Sequence, residues 1–385
     1  MPVARRIDQV TPFRAMTLLA RAQDMQAQGR DVIHMEVGEP DFPTPPLIVA
    51  AAQQALATQN LGYTAATGAP ALRAKIARYY RDTFHVEVDP WRIIMTPGAS
   101  GALLLVMTVI VNAGEQVLLP DPGYPANRNL VHIVGGQPRA ITTTEESGFQ
   151  LSADDCARAW TSNTAALLVA SPANPTGAVL SRQTVRDLYA CVCERGGAFI
   201  VDEIYQGLTY EGESSSALAM SDDIFVVNSF SKFFNMTGWR LGWLVAPPRY
   251  VDALTRLAQN MFLAPSTLAQ SAALAAFDPA TLALLDQRRC ELAARRNYLV
   301  PALRKLGFRI SHVPAGAFYI YADCSGLTDD AHTFAEALLQ ETGVVVTPGL
   351  DFGNHRAHEF IRFAYTTPTA RLQEAVARLS GFLGR

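Results

Sequence analysis

The sequence predicts an α/β protein: a large domain with a mostly parallel central sheet flanked by helices, joined to a smaller α+β domain. Three observations carry that expectation. Between residues 93 and 245 short apolar runs alternate with helical patterns, as they do when crossover helices bury both faces of a parallel sheet. The motifs with chemical character fall at the ends of those runs, where open sheets of this kind bind ligands. Beyond residue 278 the pattern changes to one long helix followed by short strands and further helices. The expected boundaries are 1–40 for an N-terminal arm and helix belonging to the small domain, 41–278 for the large domain, and 279–385 for the rest of the small one.

Taken in order, residues 11–28 place Phe13, Met16, Leu19, Ala20 and Ala27 at helical spacing and stop before Gly29, which predicts an amphipathic helix. Residues 34–46 carry four prolines in their last seven positions and read as a stiff connector. Within it Gly38 allows a ligand to approach the backbone, or simply makes a turn. Strands are expected at 93–96, 116–119, 140–143, 165–170, 198–201, 224–227 and 241–245. Helices are expected at 100–112, 125–134, 152–161 and 181–195. A long helical pattern then covers 279–306, with a break at Pro301. Strands at 309–312 and 317–321, a helix at 331–342, strands at 344–346 and 360–365, and a helix at 369–383 complete the chain.

The composition narrows the function. Of 385 residues 49% are apolar and 17% charged, enough for a large core and about two domains. A net charge of −3 without a Lys/Arg cluster argues against nucleic acid as a partner. The longest apolar run, 102–111, is too short to span a bilayer, and no apolar stretch follows Arg5 and Arg6 as a signal peptide requires. No membrane partner is expected. Five cysteines without a C-x-x-C spacing fit reduced, mostly buried thiols and a cytoplasmic location. His355 and His358 lack the companions of a zinc site, so no metal is expected.

The stretch from Asn228 to Trp243 organises the chemistry. Lys232 and Arg240 are the only charged side chains between residues 224 and 248. Lys232 stands just past an apolar strand, among phenylalanines. Burial there favours the neutral amine, the form that attacks carbonyls. Arg240 keeps its charge and suits phosphate oxygens. An amine nucleophile beside a fixed guanidinium matches an aldehyde that bears a phosphate, which describes pyridoxal phosphate; a loop lysine and a structural ion pair are the alternative.

Other strand ends add to this. Residues 96–102 join a strand to an apolar helix, and the amides of Ala99 and Ser100 with the Ser100 hydroxyl form a candidate anion site, or an ordinary N-cap. Tyr124, in Asp121-Pro-Gly-Tyr, is placed to stack on a planar ring; a core tyrosine fits that segment equally. Asn174, in a loop fixed by two prolines and a glycine, has an amide that can donate to a phenolic oxygen. Asp202 ends a buried strand and needs a partner; a pyridinium N–H supplies one and becomes an electron sink. Tyr205 is near enough in sequence to reach the same ring's oxygen. Arg362 lies in an otherwise apolar strand, where a substrate α-carboxylate would match its fork; an internal salt bridge is the alternative.

Together Gly38-Glu-Pro-Asp-Phe, Gly62-Tyr-Thr, Pro97-Gly-Ala-Ser, Asp121-Pro-Gly-Tyr, Asn174-Pro-Thr-Gly, Asp202-Glu-Ile-Tyr, Ser229-Phe-Ser-Lys, Gly238-Trp-Arg-Leu-Gly and Arg362 resemble the class I/II aminotransferases, fold-type I enzymes that use pyridoxal phosphate. The resemblance runs in family order over almost the whole chain. It implies that Lys232 forms the Schiff base and moves the proton, and that Asp202 pairs with the pyridine nitrogen. Asn174 and Tyr205 would bind the phenolic oxygen, and Tyr124 would stack on the ring. Ala99, Ser100, Ser229 and Arg240 would hold the phosphate, with Tyr63 reaching the phosphate of a neighbouring subunit, so a homodimer with shared sites is expected. Gly38, Asn174 and Arg362 would take the substrate carboxylate.

The implied activity is transfer of an amino group from an L-amino acid to a 2-oxo acid. Some bacterial aspartate aminotransferases have a lysine where Ser100 stands, and Phe13, Phe318 and Phe352 are apolar candidates for the pocket. Both points favour a neutral or hydrophobic donor. A C–S β-lyase shares the same motifs, and a non-catalytic effector-sensing module is a further alternative; the latter lacks a basic DNA-binding segment here.

Overall fold

The computed structural model describes residues 3–212 and 214–384. Helix α1 (Arg14–Ala27) leads into a two-residue strand, β1 (Ile33–His34). The proline-rich connector follows, and Pro46 opens α2 (Pro46–Thr58), with α3 (Pro70–Phe84) next. Both helices begin with proline in the first turn, where its missing N–H and fixed φ cost nothing.

The alternating region forms β2 (Ile93–Thr96), α4 (Gly98–Ile110), β3 (Gln116–Asp121), α5 (Pro125–Ile133), β4 (Gln137–Thr142), α6 (Ala153–Ala159), β5 (Thr164–Ala170), α7 (Arg182–Glu194), β6 (Ala198–Asp202), β7 (Ile224–Ser229) and β8 (Gly242–Val245). These strands make one seven-stranded sheet in the order β2-β8-β7-β6-β5-β3-β4, in which only the β8 pairings are antiparallel. Successive residues alternate between two cores. Met95, Leu118, Leu167, Phe199, Val226 and Trp243 face one, and Ile94, Val117, Leu168, Ile200, Phe225 and Leu244 face the other. Burial on both faces explains why these strands read as unbroken apolar runs. Because β2, β3, β5, β6 and β7 run in one direction, Thr96, Asp121, Ala170, Asp202 and Ser229 end at one edge of the sheet.

Helices α8 (Val251–Met261) and α9 (Thr267–Ala273) lead to α10 (Pro279–Lys305), which runs unbroken through Pro301. The expected break is corrected: one backbone donor is missing, but Leu299, Val300 and Leu303 on either side are buried in a third core. Residues 309–312 form no strand either. Arg309 makes a single bridge to Asp323, the Arg304 guanidinium takes the Ile310 carbonyl at 3.2 Å through Nε, and Pro314 follows two residues beyond the predicted run.

Strand β9 (Tyr319–Asp323) and helix α11 (Ala331–Ala337) are followed by a π-turn at Leu338–Thr342, then β10 (Val344–Val345), β11 (Thr347–Pro348), β12 (Phe360–Ala364) and α12 (Thr369–Leu383). β11, β12 and β9 form a small antiparallel sheet, and β1 pairs with β10, which brings the N-terminal connector onto the C-terminal elements. Cys156, Cys191 and Cys324 are buried, whereas Cys193 and Cys290 are exposed, and all five are free. Among the described residues no single helix is long and apolar enough to cross a membrane.

At the foot of the connector His34 Nδ1 lies 2.7 Å from Glu36 Oε1, and the Glu36 side chain is fully buried. The carboxylate raises the His34 pKa above its usual 6.5. Stability from this pair is therefore complete below about pH 6.5 and is lost as pH rises through the raised value. Thermal midpoints of wild type and His34→Gln, measured from pH 6 to 9, should differ most at the acid end and converge towards the alkaline end.

Candidate active site

Strand ends, helix starts and the connector meet above the carboxyl edge of the large sheet. Three residues beyond β7, Lys232 sends its Nζ to the Gly38 carbonyl at 2.6 Å. The residue is half-buried overall, while its ammonium is enclosed by protein. Burial brings its pKa down to about 8; Glu39 and Asp202 oppose the shift, and Arg240 and Arg362 add to it. Asp202, the last residue of β6, is buried and accepts the Ile204 N–H at 3.0 Å. Burial raises its carboxyl to about 6, against the Ile204 hydrogen bond and the Lys232 charge. Among the described residues no cation pairs with it directly.

The start of α4 is an open anion cradle. Pro97 stands at the N-cap and offers no side-chain cap, so the first-turn amides, including those of Ala99 and Ser100, keep their donors free. Gly98 has φ +73°, and a Cβ there would lie 2.5 Å from Arg240 Nη2; the guanidinium thus rests against this turn. Arg240 is itself in the left-handed region and donates from Nη1 to Thr237 O at 3.0 Å and Ser231 Oγ at 3.5 Å. Ser231 Oγ lies 2.9 Å from Ser229 Oγ. The two serines and the arginine form one hydrogen-bonded chain beside the cradle. The sequence pointed to Ser229 and missed Ser231, although the Ser-x-Ser spacing puts both hydroxyls within reach of one group.

Arg362, in β12, is 1% exposed. Its Nη1 donates to Asn174 Oδ1 at 2.9 Å, and its Nη2 donates to the Glu36 carbonyl and to Thr347 Oγ1, the latter at 3.3 Å. The guanidinium is clasped between aromatic rings, 4.3 Å from the Tyr319 centroid and 4.7 Å from that of Phe352. Nε has no partner, and no carboxylate pairs with this arginine among the described residues. The salt-bridge alternative for Arg362 does not hold.

Tyr124 stands at the N-terminus of α5 with Phe13 edge-on to it, 6.2 Å between centroids. Burial raises the Tyr124 pKa. Asn174, Tyr124 and Phe352 also line a cavity of about 220 Å³. Tyr205 is buried, with its hydroxyl 2.8 Å from that of Tyr319. Of the three phenylalanines expected around a substrate, Phe13 and Phe352 lie against site residues. Phe318 is fully buried in the C-terminal core, edge-on to Tyr205; strand alternation gives the neighbouring Tyr319 to Arg362 instead. Tyr63 is 84% exposed and takes no part in its own chain's site. Glu36, Glu39, Ser231, Tyr319 and Thr347 were not anticipated, because the connector and the β11–β12 pairing that deliver most of them have no local signature.

The comparisons with known proteins give the family. The sequence matches the family model "Aminotransferase class I and II" over residues 30–379. It is 36% identical to a valine–pyruvate aminotransferase from Mycobacterium tuberculosis, across 97% of both chains. It is 34% identical to an aspartate/prephenate aminotransferase from Thermus thermophilus, across 100% of this chain and 99% of that one. A solved aminotransferase from Mycobacterium tuberculosis superposes with a TM-score of 0.97 at 36% identity, covering 100% of this chain and 99% of that one. Aspartate aminotransferase from Thermus thermophilus with maleate gives 0.94 at 32% identity, with 99% of each chain covered. The chain belongs to the class I and II aminotransferases. It is a pyridoxal-phosphate-dependent aminotransferase of fold type I.

Gly242, opposite the cradle, leaves no space for a side chain: a Cβ would stand 2.7 Å from the Gly98 carbonyl carbon and 2.9 Å from Ala99 N. Both neighbours are backbone. Gly242→Ala should therefore cost about 1–3 kcal/mol in urea unfolding and weaken binding of inorganic phosphate, while an alanine at Gly238, where nothing lies within 4 Å, leaves both unchanged.

Proposed function

We propose that the chain moves an amino group from a neutral or hydrophobic L-amino acid to a 2-oxo acid, with Lys232 as the proton carrier and Arg362 as the carboxylate receptor. The observation that carries this reading is Arg362, a buried guanidinium clasped by two rings and lacking a carboxylate of its own. Such a group gains most from a bidentate anion brought in from outside. The family tie to a valine–pyruvate aminotransferase, together with Phe13 at Tyr124, supports the apolar donor.

The residues fit pyridoxal phosphate. Asp202 is a buried carboxylate without a cation, suited to a ring N–H. The α4 amides of Ala99 and Ser100, with Ser229, Ser231 and Arg240, suit a phosphate. Tyr124 offers a ring face, and Asn174 and Tyr205 offer donors to a ring oxygen. When bound, the cofactor supplies an aldehyde for the amino acid's nitrogen and an electron sink for the bond broken at Cα. Arg362, helped by Asn174 and the Gly38 backbone, fixes the substrate carboxylate and so the orientation of Cα. Lys232 Nζ takes the Cα proton and delivers it to the other side of the transfer. Asp202 keeps the ring nitrogen protonated.

Gly38 comes from the 1–40 segment and Arg362 from 279–385, whereas Lys232 and Asp202 belong to 41–278; we read the site as lying where the two domains meet. We further read the assembly as a homodimer. Leu47, Leu56, Leu61, Tyr63 and Leu263 are exposed around α2 and the segment after it, and a Tyr63 with no role at home suits a neighbour's phosphate. Sedimentation should give twice the chain mass, and Tyr63→Ala should loosen the cofactor without altering the fold.

Borohydride treatment in the presence of pyridoxal phosphate should fix the cofactor on residue 232. Lys232→Ala should lose this mark and about 10²–10⁴-fold or more of the rate. Capture by the unloaded protein needs the neutral amine, so its rate should rise with pH and level off above about 8. Half-reaction spectra with a panel of amino acids then test the donor. Aspartate far ahead of valine and leucine would reverse the donor assignment, and pyruvate with ammonia from cystathionine, without an acceptor, would replace transfer by elimination.

A further inference from the structure

Tyr319 has no role in the chemistry above, yet it touches the site on three sides. Its hydroxyl lies 2.8 Å from Tyr205 Oη, and its ring lies beneath the Arg362 guanidinium at 4.3 Å. A Cβ at residue 38 would fall 2.0 Å from its Oη, so Tyr319 is what requires glycine beside Lys232. The side chain is 1% exposed and comes from β9, whose neighbour β12 carries Arg362 on the same face. We propose that Tyr319 is a positioning residue that couples the carboxylate receptor Arg362 to the oxygen-binding Tyr205.

The coupling rests on the reading of the site given above and follows from two properties of one side chain. A hydroxyl has one proton. When Tyr205 donates to a ring oxygen, the short contact between the two phenols requires Tyr319 to be the donor to Tyr205. A phenol that accepts a hydrogen bond becomes the stronger donor in turn. Burial keeps both phenols neutral by raising their pKa values. The ring supplies the second property, because a cation held over an aromatic face is fixed in height and tilt. Phe352 covers the opposite face of the guanidinium, so removing Tyr319 frees Arg362 on one side only.

Two variants separate these parts. Tyr319→Phe keeps the ring and removes the proton; Tyr319→Leu removes both, with Tyr319→Met in its place if the leucine variant does not fold. Propionate is the probe for Arg362, measured by calorimetry on protein with and without pyridoxal phosphate. The phenylalanine variant should bind it within about twofold of wild type, and the ring-less variant about tenfold more weakly in both states. The second reading is the pH at which the visible band of the bound cofactor changes. Both variants should move it upward by about half a unit or more, because an oxygen anion less well stabilised by Tyr205 retains a neighbouring proton to higher pH.

A side chain that only fills space predicts an unshifted band for phenylalanine, and that result would overturn the coupling. So would a ring-less variant that binds propionate like wild type. A wild-type chain that neither carries the cofactor on residue 232 nor binds propionate would overturn the reading of the site itself, and this inference with it.

Discussion

The site depends on positive charge held where water cannot neutralise it. Arg362 is buried between two rings without an acid among the described residues and the Lys232 amine is enclosed with its pKa lowered, while Arg240, itself exposed, rests against the free amides of α4. A buried charge without a partner is costly. The fold tolerates the cost by surrounding each cation with neutral oxygens: the Glu36 and Gly38 carbonyls, Asn174 Oδ1, Thr347 Oγ1 and Ser231 Oγ. These hold geometry and leave the net charge uncompensated. On the proposed reading, a ligand with an anionic group at each end would meet donors already oriented towards it.

The connector between β1 and α2 makes this possible. It runs between the cores, and its backbone supplies acceptors to Lys232 and Arg362 within three residues of each other. It is pinned by ion pairs and carbonyl contacts away from the chemistry: Asp41 bonds Arg295 at 2.8 Å, the Pro43 carbonyl takes Arg288 at 2.7 Å, and Phe42 lies against both guanidinium groups. Four prolines in this segment reduce the conformations it gives up on folding. Rigidity here fixes the separation between the amine and the carboxylate receptor, the distance that a reaction at Cα must match.

The sequence exposed the large sheet because its inner strands are apolar runs bounded by turn residues, whereas the edge strand β4 is mostly polar and only partly buried, and it exposed the site where function coincides with those boundaries. Lys232 and Asn174 sit just past strand ends, Asp202 is the last residue of its strand, and the α4 cradle opens a helix. Legibility failed where position is set by distant packing. Pro301 reads as a breaker, but burial on both sides of it carries α10 through. Tyr319 and Phe318 are adjacent and equally aromatic; only the pairing of β9 with β12 decides which meets Arg362. Ser231 was overshadowed by the lysine beside it, and Glu36 contributes a carbonyl, which no side-chain pattern can announce.

Recognition of the two halves of a substrate then has different physical origins. On the proposed reading the carboxylate end would be taken by groups from β12, β11, the 171–177 loop and the connector, which are buried and mutually bonded. On the same reading the side-chain end would face Tyr124 and Phe13, and Phe13 stands at the start of α1. That helix has no cap of its own; its first amides are held by Asp351 at 3.0 and 2.7 Å, and the arm before it by Asn129. A few polar contacts, those of buried Asp351 among them, position this arm, whereas a whole core positions Arg362. Substitutions in the arm can therefore re-aim Phe13 without touching the rings around Arg362, whereas the 349–354 loop carries Phe352, which itself lies against that guanidinium. One rigid half that defines an amino acid and one separately held half would together leave donor preference free to change on the same fold.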